Sequence, residues 1–130
     1  MEELAIGDTF TTELGSAITV HEVRLDIPWD YSPDEGGLWH GADVEYCLGD
    51  TPPNTAAFQS FSWSWVMRTE EGYVLDHPSS WQDEMISPLL NLTEVVPVAG
   101  ECFHGWVLFS GPEDAEITSV RLDNIDWALE

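Results

Sequence analysis

The chain has 130 residues, enough for one domain that buries most of the surface it would expose unfolded. Its hydrophobic content is 43%, with seven Trp and five Phe to fill a core, so it is not an acidic disordered tail, which would be poor in aromatics. Three Arg and no Lys stand against 25 acids, a net charge of −22; such a field repels phosphate backbones and anionic lipid, which excludes nucleic-acid binding.

The plain account of this acidity is solubility at high salt or at a crowded surface. Capture of a cation or a basic partner is the functional account, but no single acidic cluster dominates. No apolar run approaches the twenty residues that a membrane-spanning helix needs. Met1-Glu2-Glu3 also lacks the positive start and apolar stretch of a signal peptide. Two compartments stay open: the cytosol, or the outside with an export segment already removed.

Taken in order, Gly7 to Thr12 is a short β-prone opening and Leu14-Gly15-Ser16 a turn. Ile18, Val20, Glu22 and Arg24 then oppose Thr19, His21, Val23, Leu25 and Ile27, a strand whose inward parity is ambiguous. Pro28 to Gly41 is broken by Pro33, Gly36 and Gly37 and reads as a loop. Ala42 to Leu48 follows as a strand with Val44, Tyr46 and Leu48 on one face and Glu45 and Cys47 on the other.

After a Pro52-Pro53 loop, Phe61, Trp63, Trp65 and Met67 alternate with Ser60, Ser62, Ser64 and Arg68. That period of two predicts one half-buried strand with an aromatic inner face and a serine outer face. Thr69-Glu70-Glu71-Gly72 makes a hairpin turn, with Tyr73 to Leu75 as the returning strand. Asp76 to Ala99 is a long connection in which Ser79-Ser80-Trp81-Gln82 offers a capping-box start for one short helix near Ser80 to Met85.

Gly100 to Ala115, GECFHGWVLFSGPEDA, carries the most distinctive strand. Cys102, His104, Trp106 and Leu108 fall on one parity, and Phe103, Val107 and Phe109 on the other. Apolar residues on both sides predict a strand buried on both faces or near the middle of a sheet. Gly105 marks a bulge or a close backbone approach, and Pro112 ends the ladder. Ile117 to Leu122 is the final strand, extended by Ile125-Asp126-Trp127. About seven short strands with turn signals, no helical period and no repeat describe a single β-sandwich over residues 1–130.

The order glycine, acid, gap, Gly-Trp-Val, aliphatic, Phe, gap, Pro, acid in Gly100 to Pro112 resembles the signature strand of a bacterial immunoglobulin-like family. That family has no assigned biochemical function and occurs in exported lipoproteins and secreted antigens, notably of actinobacteria; its telomeric-repeat-binding-factor-like label misleads. The stretch GDTFTTELGSAITVHEVRL resembles its first hairpin. The resemblance implies an immunoglobulin-like sandwich, export or surface anchoring (a lipid anchor lying outside this sequence), and neither a reaction nor a known ligand.

In an exported domain, Cys47 and Cys102 would form a disulfide worth about 4 kcal/mol in the chain-entropy model; in the cytosol they would be two buried thiols. Cys47 lies on the parity opposite Val44, Tyr46 and Leu48, so such a bridge links strands away from the main core face. His21, His40, His77 and His104 stand singly, without metal-ligand spacing, and no metal or cofactor is expected from them. Asp30, Asp34 and Glu35 suggest a calcium loop, but its glycine comes one place late and Gly41 stands where the bidentate acid belongs. No nucleophile elbow, phosphate loop or metalloprotease motif is present, and no enzyme is expected.

The remaining candidate is a ligand surface of Trp29, Tyr31 and Trp39 in the Pro/Gly-rich loop, an aromatic platform for a sugar or peptide. The competing account is that these rings plug one end of the core. The expectation is a binding or interaction domain with a protein or glycan partner; a carbohydrate-binding module and an acidic calcium-binding domain are its alternatives.

Overall fold

A computed structural model describes residues 2–33, 36–81 and 83–129. The fold is an all-β, immunoglobulin-like sandwich. Nine strands are formed among the described residues: β1 (Glu2–Ala5), β2 (Thr9–Thr11), β3 (Ala17–Arg24), β4 (Leu38–Cys47), β5 (Trp65–Thr69), β6 (Val74–Leu75), β7 (Cys102–Gly111), β8 (Ile117–Leu122) and β9 (Ile125–Ala128). One sheet runs β1-β9-β8-β5-β6 and the other β2-β3-β4-β7. Ladders are antiparallel except between β1 and β9.

Side chains from both inner faces fill the space between the sheets. Val20, Val44, Trp65, Met67, Phe109, Val120 and Trp127 are all but fully buried there. Trp65 and Trp127 sit with ring centroids 5.4 Å apart, and burial of rings this size stabilises by roughly 4 kcal/mol each. A second apolar cluster of Ile27, Trp39, Met85, Ile86, Trp106 and Leu108 lies on the outer side of the four-stranded sheet. The long connection after Asp76 covers that side.

The ambiguous parity of β3 has a structural cause. Its register against β4 shifts between Val20 and Glu22, and the extra residue in this β-bulge is His21. Ile18 and Val20 face inward before the bulge, and Val23 packs on the same core after it. A bulge switches parity, so no single alternation fits the strand.

Strand β7 is buried on both faces from Gly105 to Phe109, but it is an edge strand rather than a central one. Its free edge is covered by the connection. The Trp106 amide donates to the Pro88 carbonyl at 2.8 Å, and the Leu90 amide donates to the Trp106 carbonyl at 2.9 Å. Gly105 is the close approach: a Cβ there would stand 2.8 Å from the Leu90 nitrogen. A long strand thus loses its exposed edge without a further strand.

Four sequence expectations need correction. Residues 38–41, expected as the end of the Pro28–Gly41 loop, are already strand, because β4 begins at Leu38 and pairs with β7 from there. The strand expected from Phe61 begins only at Trp65, because α1 (Thr55–Gln59) and a 3₁₀ turn (Phe61–Trp63) precede it. Asn54 caps α1 through Oδ1 to the Ala57 amide at 2.8 Å. Ser60 and Ser64 then donate their hydroxyls to the carbonyls of Ala57 and Ser60, the local bonding that favours turns over strands. The helix expected near Ser80 is a single 3₁₀ turn, Asp83–Met85; its expected cap residue Gln82 lies outside the described residues. Finally, Ile125 to Trp127 does not extend β8 but turns back as β9, with Asp123 in the left-handed region at φ 54°.

Candidate functional site

Where the connection crosses the edge of β7, the chain leaves a cleft of about 370 Å³. Its walls are Trp63 from the 3₁₀ turn, His77, Trp81 and Leu89 from the connection, and Trp106 from β7. The Trp63 ring stands 5.6 Å from Trp81 and 5.1 Å from His77, centroid to centroid. Trp106 belongs to the second apolar cluster, which fixes that wall from behind. Arg24 lies over its ring at 4.9 Å.

Ser62 also lines the cleft. It is only 4% exposed, and its hydroxyl is buried with no hydrogen-bond partner. A buried hydroxyl left unpaired costs about 1–3 kcal/mol, so the position favours a ligand or water that supplies the missing bond. Rings around a small hydrogen-bonding group are the usual make-up of a small-molecule site.

The aromatic residues expected to form a platform differ in exposure. Trp39 is 6% exposed and packs in the second cluster. Its indole Nε1 donates to the Tyr31 carbonyl at 2.8 Å. Trp29 is half-buried against the same cluster, and Tyr31 is 69% exposed. The three share one neighbourhood but present no common exposed face. Trp39 is a plug, and through Trp106 it supports the cleft.

Cys47 and Cys102 are bonded to each other. They are opposite residues of the β4–β7 ladder, so the bridge lies within one sheet, on its outer face. Of the calcium-loop acids, Asp30 is exposed, while Asp34 and Glu35 lie outside the described residues.

The four histidines take three different places. His40 is buried; its Nδ1 accepts from the Asp26 amide at 3.0 Å, so Nε2 carries the proton, and that atom has no partner. Burial pushes its pKa below the ordinary 6.5, against a smaller upward pull from Asp26. His77 pairs with Asp76 through Nδ1 at 2.9 Å. His21 and His104, 83 residues apart in the chain, meet on the outer face of the four-stranded sheet with ring centroids at 5.1 Å. Their Nε2 atoms stand 2.6 Å from Glu45 and 2.7 Å from Asp43, respectively.

All three arginines are engaged. Arg24 lies 3.5 Å from Glu22. Arg68 and Arg121 both hold the buried Asp126 carboxylate, at 2.8 Å and 2.9 Å, and Ser119 donates to it as well. Burial alone would raise the Asp126 pKa; the hydrogen bonds and charges of Arg121 and Arg68 outweigh it and hold the carboxyl below its ordinary range.

Sequence reasoning missed the cleft because its residues lie on three separate segments. Trp81 stood in a stretch expected to be helix, and Trp63 on an expected inner face. The one available signal was Gly105, whose close approach brings the connection across β7.

Fold and geometry together define an immunoglobulin-like β-sandwich with an aromatic cleft beside one sheet edge. Among solved structures, the chain is similar to the secreted protein MPT63 of Mycobacterium tuberculosis, with a TM-score of 0.64 at 16% identity, covering 97% of this chain and 95% of that one. No family model matches the sequence, and no curated protein matches it. No helix among the described residues is long and apolar enough to cross a membrane.

Proposed function

We propose that this chain is a non-catalytic, exported binding domain that takes a neutral sugar ring in the cleft of Trp63, Trp81 and Trp106. The observation that carries the reading is the unpaired Ser62 hydroxyl at an aromatic-lined cavity. A sugar ring offers an apolar face to indoles and hydroxyls to a polar group. An anionic ligand is disfavoured: the chain has a net charge of −22 and no Lys, and each of its three arginines is paired with an acid.

Export is supported by the Cys47–Cys102 bridge, by the resemblance of Gly100 to Pro112 to an exported family, and by the fold shared with a secreted protein. A lipid anchor outside this sequence is compatible with that role. In this reading the loop of Trp29, Tyr31 and Trp39 supports the site instead of forming it.

A neutral-glycan array followed by calorimetry on the best hit tests the site. Trp81→Ala and Ser62→Ala should each weaken binding at least tenfold with little change in melting temperature. Trp39→Ala should lower stability first. An array without neutral-sugar hits, or full affinity in Trp81→Ala, would sink the proposal.

A further inference from the structure

The outer face of the four-stranded sheet carries a second, independent constellation. Strands β3, β4 and β7 are neighbours there, and each contributes: His21 from β3, Asp43 and Glu45 from β4, His104 from β7. His21, the extra residue of the bulge between Val20 and Glu22, follows inward-facing Val20 and so lies on this face; the bulge reverses parity only for the residues after it. His104 lies directly opposite Glu45 in the β4–β7 ladder.

Each imidazole is already bonded to a carboxylate, His21 Nε2 to Glu45 Oε1 at 2.6 Å and His104 Nε2 to Asp43 Oδ1 at 2.7 Å. The two rings stand 5.1 Å apart, centroid to centroid. As isolated surface pairs these contacts add little to stability. Two such pairs turned toward each other, however, present two nitrogens and two carboxylates over one patch of sheet. No Lys or Arg stands among the four.

We infer that His21, His104, Glu45 and Asp43 form a surface site for a late first-row divalent cation such as Zn²⁺. Imidazole and carboxylate together suit Zn²⁺, Ni²⁺ and Cu²⁺, and the imidazoles discriminate against Ca²⁺ and Mg²⁺, which take oxygen alone. The donor atoms are not fully converged. Among the described residues the group whose donors already lie within 4.8 Å of one another is Glu45, Cys47 and Cys102, and its sulfurs are spent in the disulfide. The imidazoles are 40% and 53% exposed and free to rotate inward. On binding, each Nε2 gives its lone pair to the metal and the ring proton moves to Nδ1, so the two carboxylate hydrogen bonds are replaced by metal bonds. The field of an acidic chain draws the cation in.

The test uses the oxidised protein, so that thiolates cannot take part, and Zn²⁺ as the probe. Zn²⁺ should raise the melting temperature by several degrees, more than equimolar Ca²⁺ does. The His21→Ala/His104→Ala double variant should lose that excess. In the unmodified protein, Zn²⁺ should shift the imidazole NMR signals of His21 and His104 and leave buried His40 and the outlying His77 in place. Equal effects of Zn²⁺ and Ca²⁺, an undiminished Zn²⁺ effect in the double variant, or unshifted His21 and His104 signals would each overturn the assignment. None of these outcomes depends on whether the cleft binds a sugar.

Discussion

His40 and Asp126 are buried titratable side chains whose protonation couples to folding in opposite chemical senses but with the same sign in pH. His40 is held neutral: burial lowers its pKa from 6.5, and its contribution is complete above 6.5. As pH falls from 6.5 toward the lower folded value, the unfolded chain gains a proton that the folded chain does not, so stability falls. Asp126 is held ionised by Arg121 and Arg68, and its contribution is present above about 3.8 and lost as pH falls through its lower folded value. Two separate acid limbs are therefore expected. His40→Asn keeps an acceptor near the Nδ1 position for the Asp26 amide and removes the titration. Melting temperature followed against pH should lose its slope just below 6.5 in that variant, while the limb below 3.8 persists. An unchanged upper limb would show that His40 is not its source.

Gly105 does for the connection what His21 does for β3: one residue in a strand decides where a neighbouring element goes. A Cβ at Gly105 would stand 2.8 Å from the Leu90 nitrogen and 3.0 Å from the Leu89 carbonyl carbon, both backbone atoms that cannot swing aside. Gly105→Ala should push residues 88–90 off the β7 edge, break the two Trp106 hydrogen bonds and cost about 2 kcal/mol. Faster hydrogen exchange at the Leu90 and Trp106 amides, with the core strands still protected, is the expected signature. Protection unchanged at both amides would refute it. This element also shows what the sequence could disclose. Both-parity burial of β7, a glycine at a close approach and the Gly72 hairpin were legible because each is a local rule. The edge position of β7 was not, since a covering loop and a covering strand leave the same apolar pattern. The cleft was illegible for a similar reason: Ser60 and Ser64 alternate with aromatics as in a strand, and only their bonds to preceding carbonyls show that the chain turns.

The whole chain carries −22, and the cations that could offset it are few and already placed. Arg68 and Arg121 converge on one buried carboxylate, and Arg24 sits beside Glu22, so arginine offsets only a few of the acids. Around Glu116, hydrogen bonding to Glu70 and the charges of Glu70 and Glu71 raise the carboxyl pKa, a local sign of that crowding. Exposed repulsions of this kind are screened by salt, since the Debye length shrinks from about 30 Å at 0.01 M to about 3 Å at 1 M. The Asp126 clamp, with its carboxylate only 2% exposed, is screened much less. Added NaCl should therefore remove repulsion faster than it weakens attraction, and the melting temperature should rise steadily across that range. Arg121→Gln separates the two terms: it loses stability at every salt concentration yet keeps the same upward slope. A flat or falling melting temperature in the unmodified protein would mean that the acids are spaced widely enough not to oppose folding, and that the charge acts outside the molecule, on its solubility and on what can approach it.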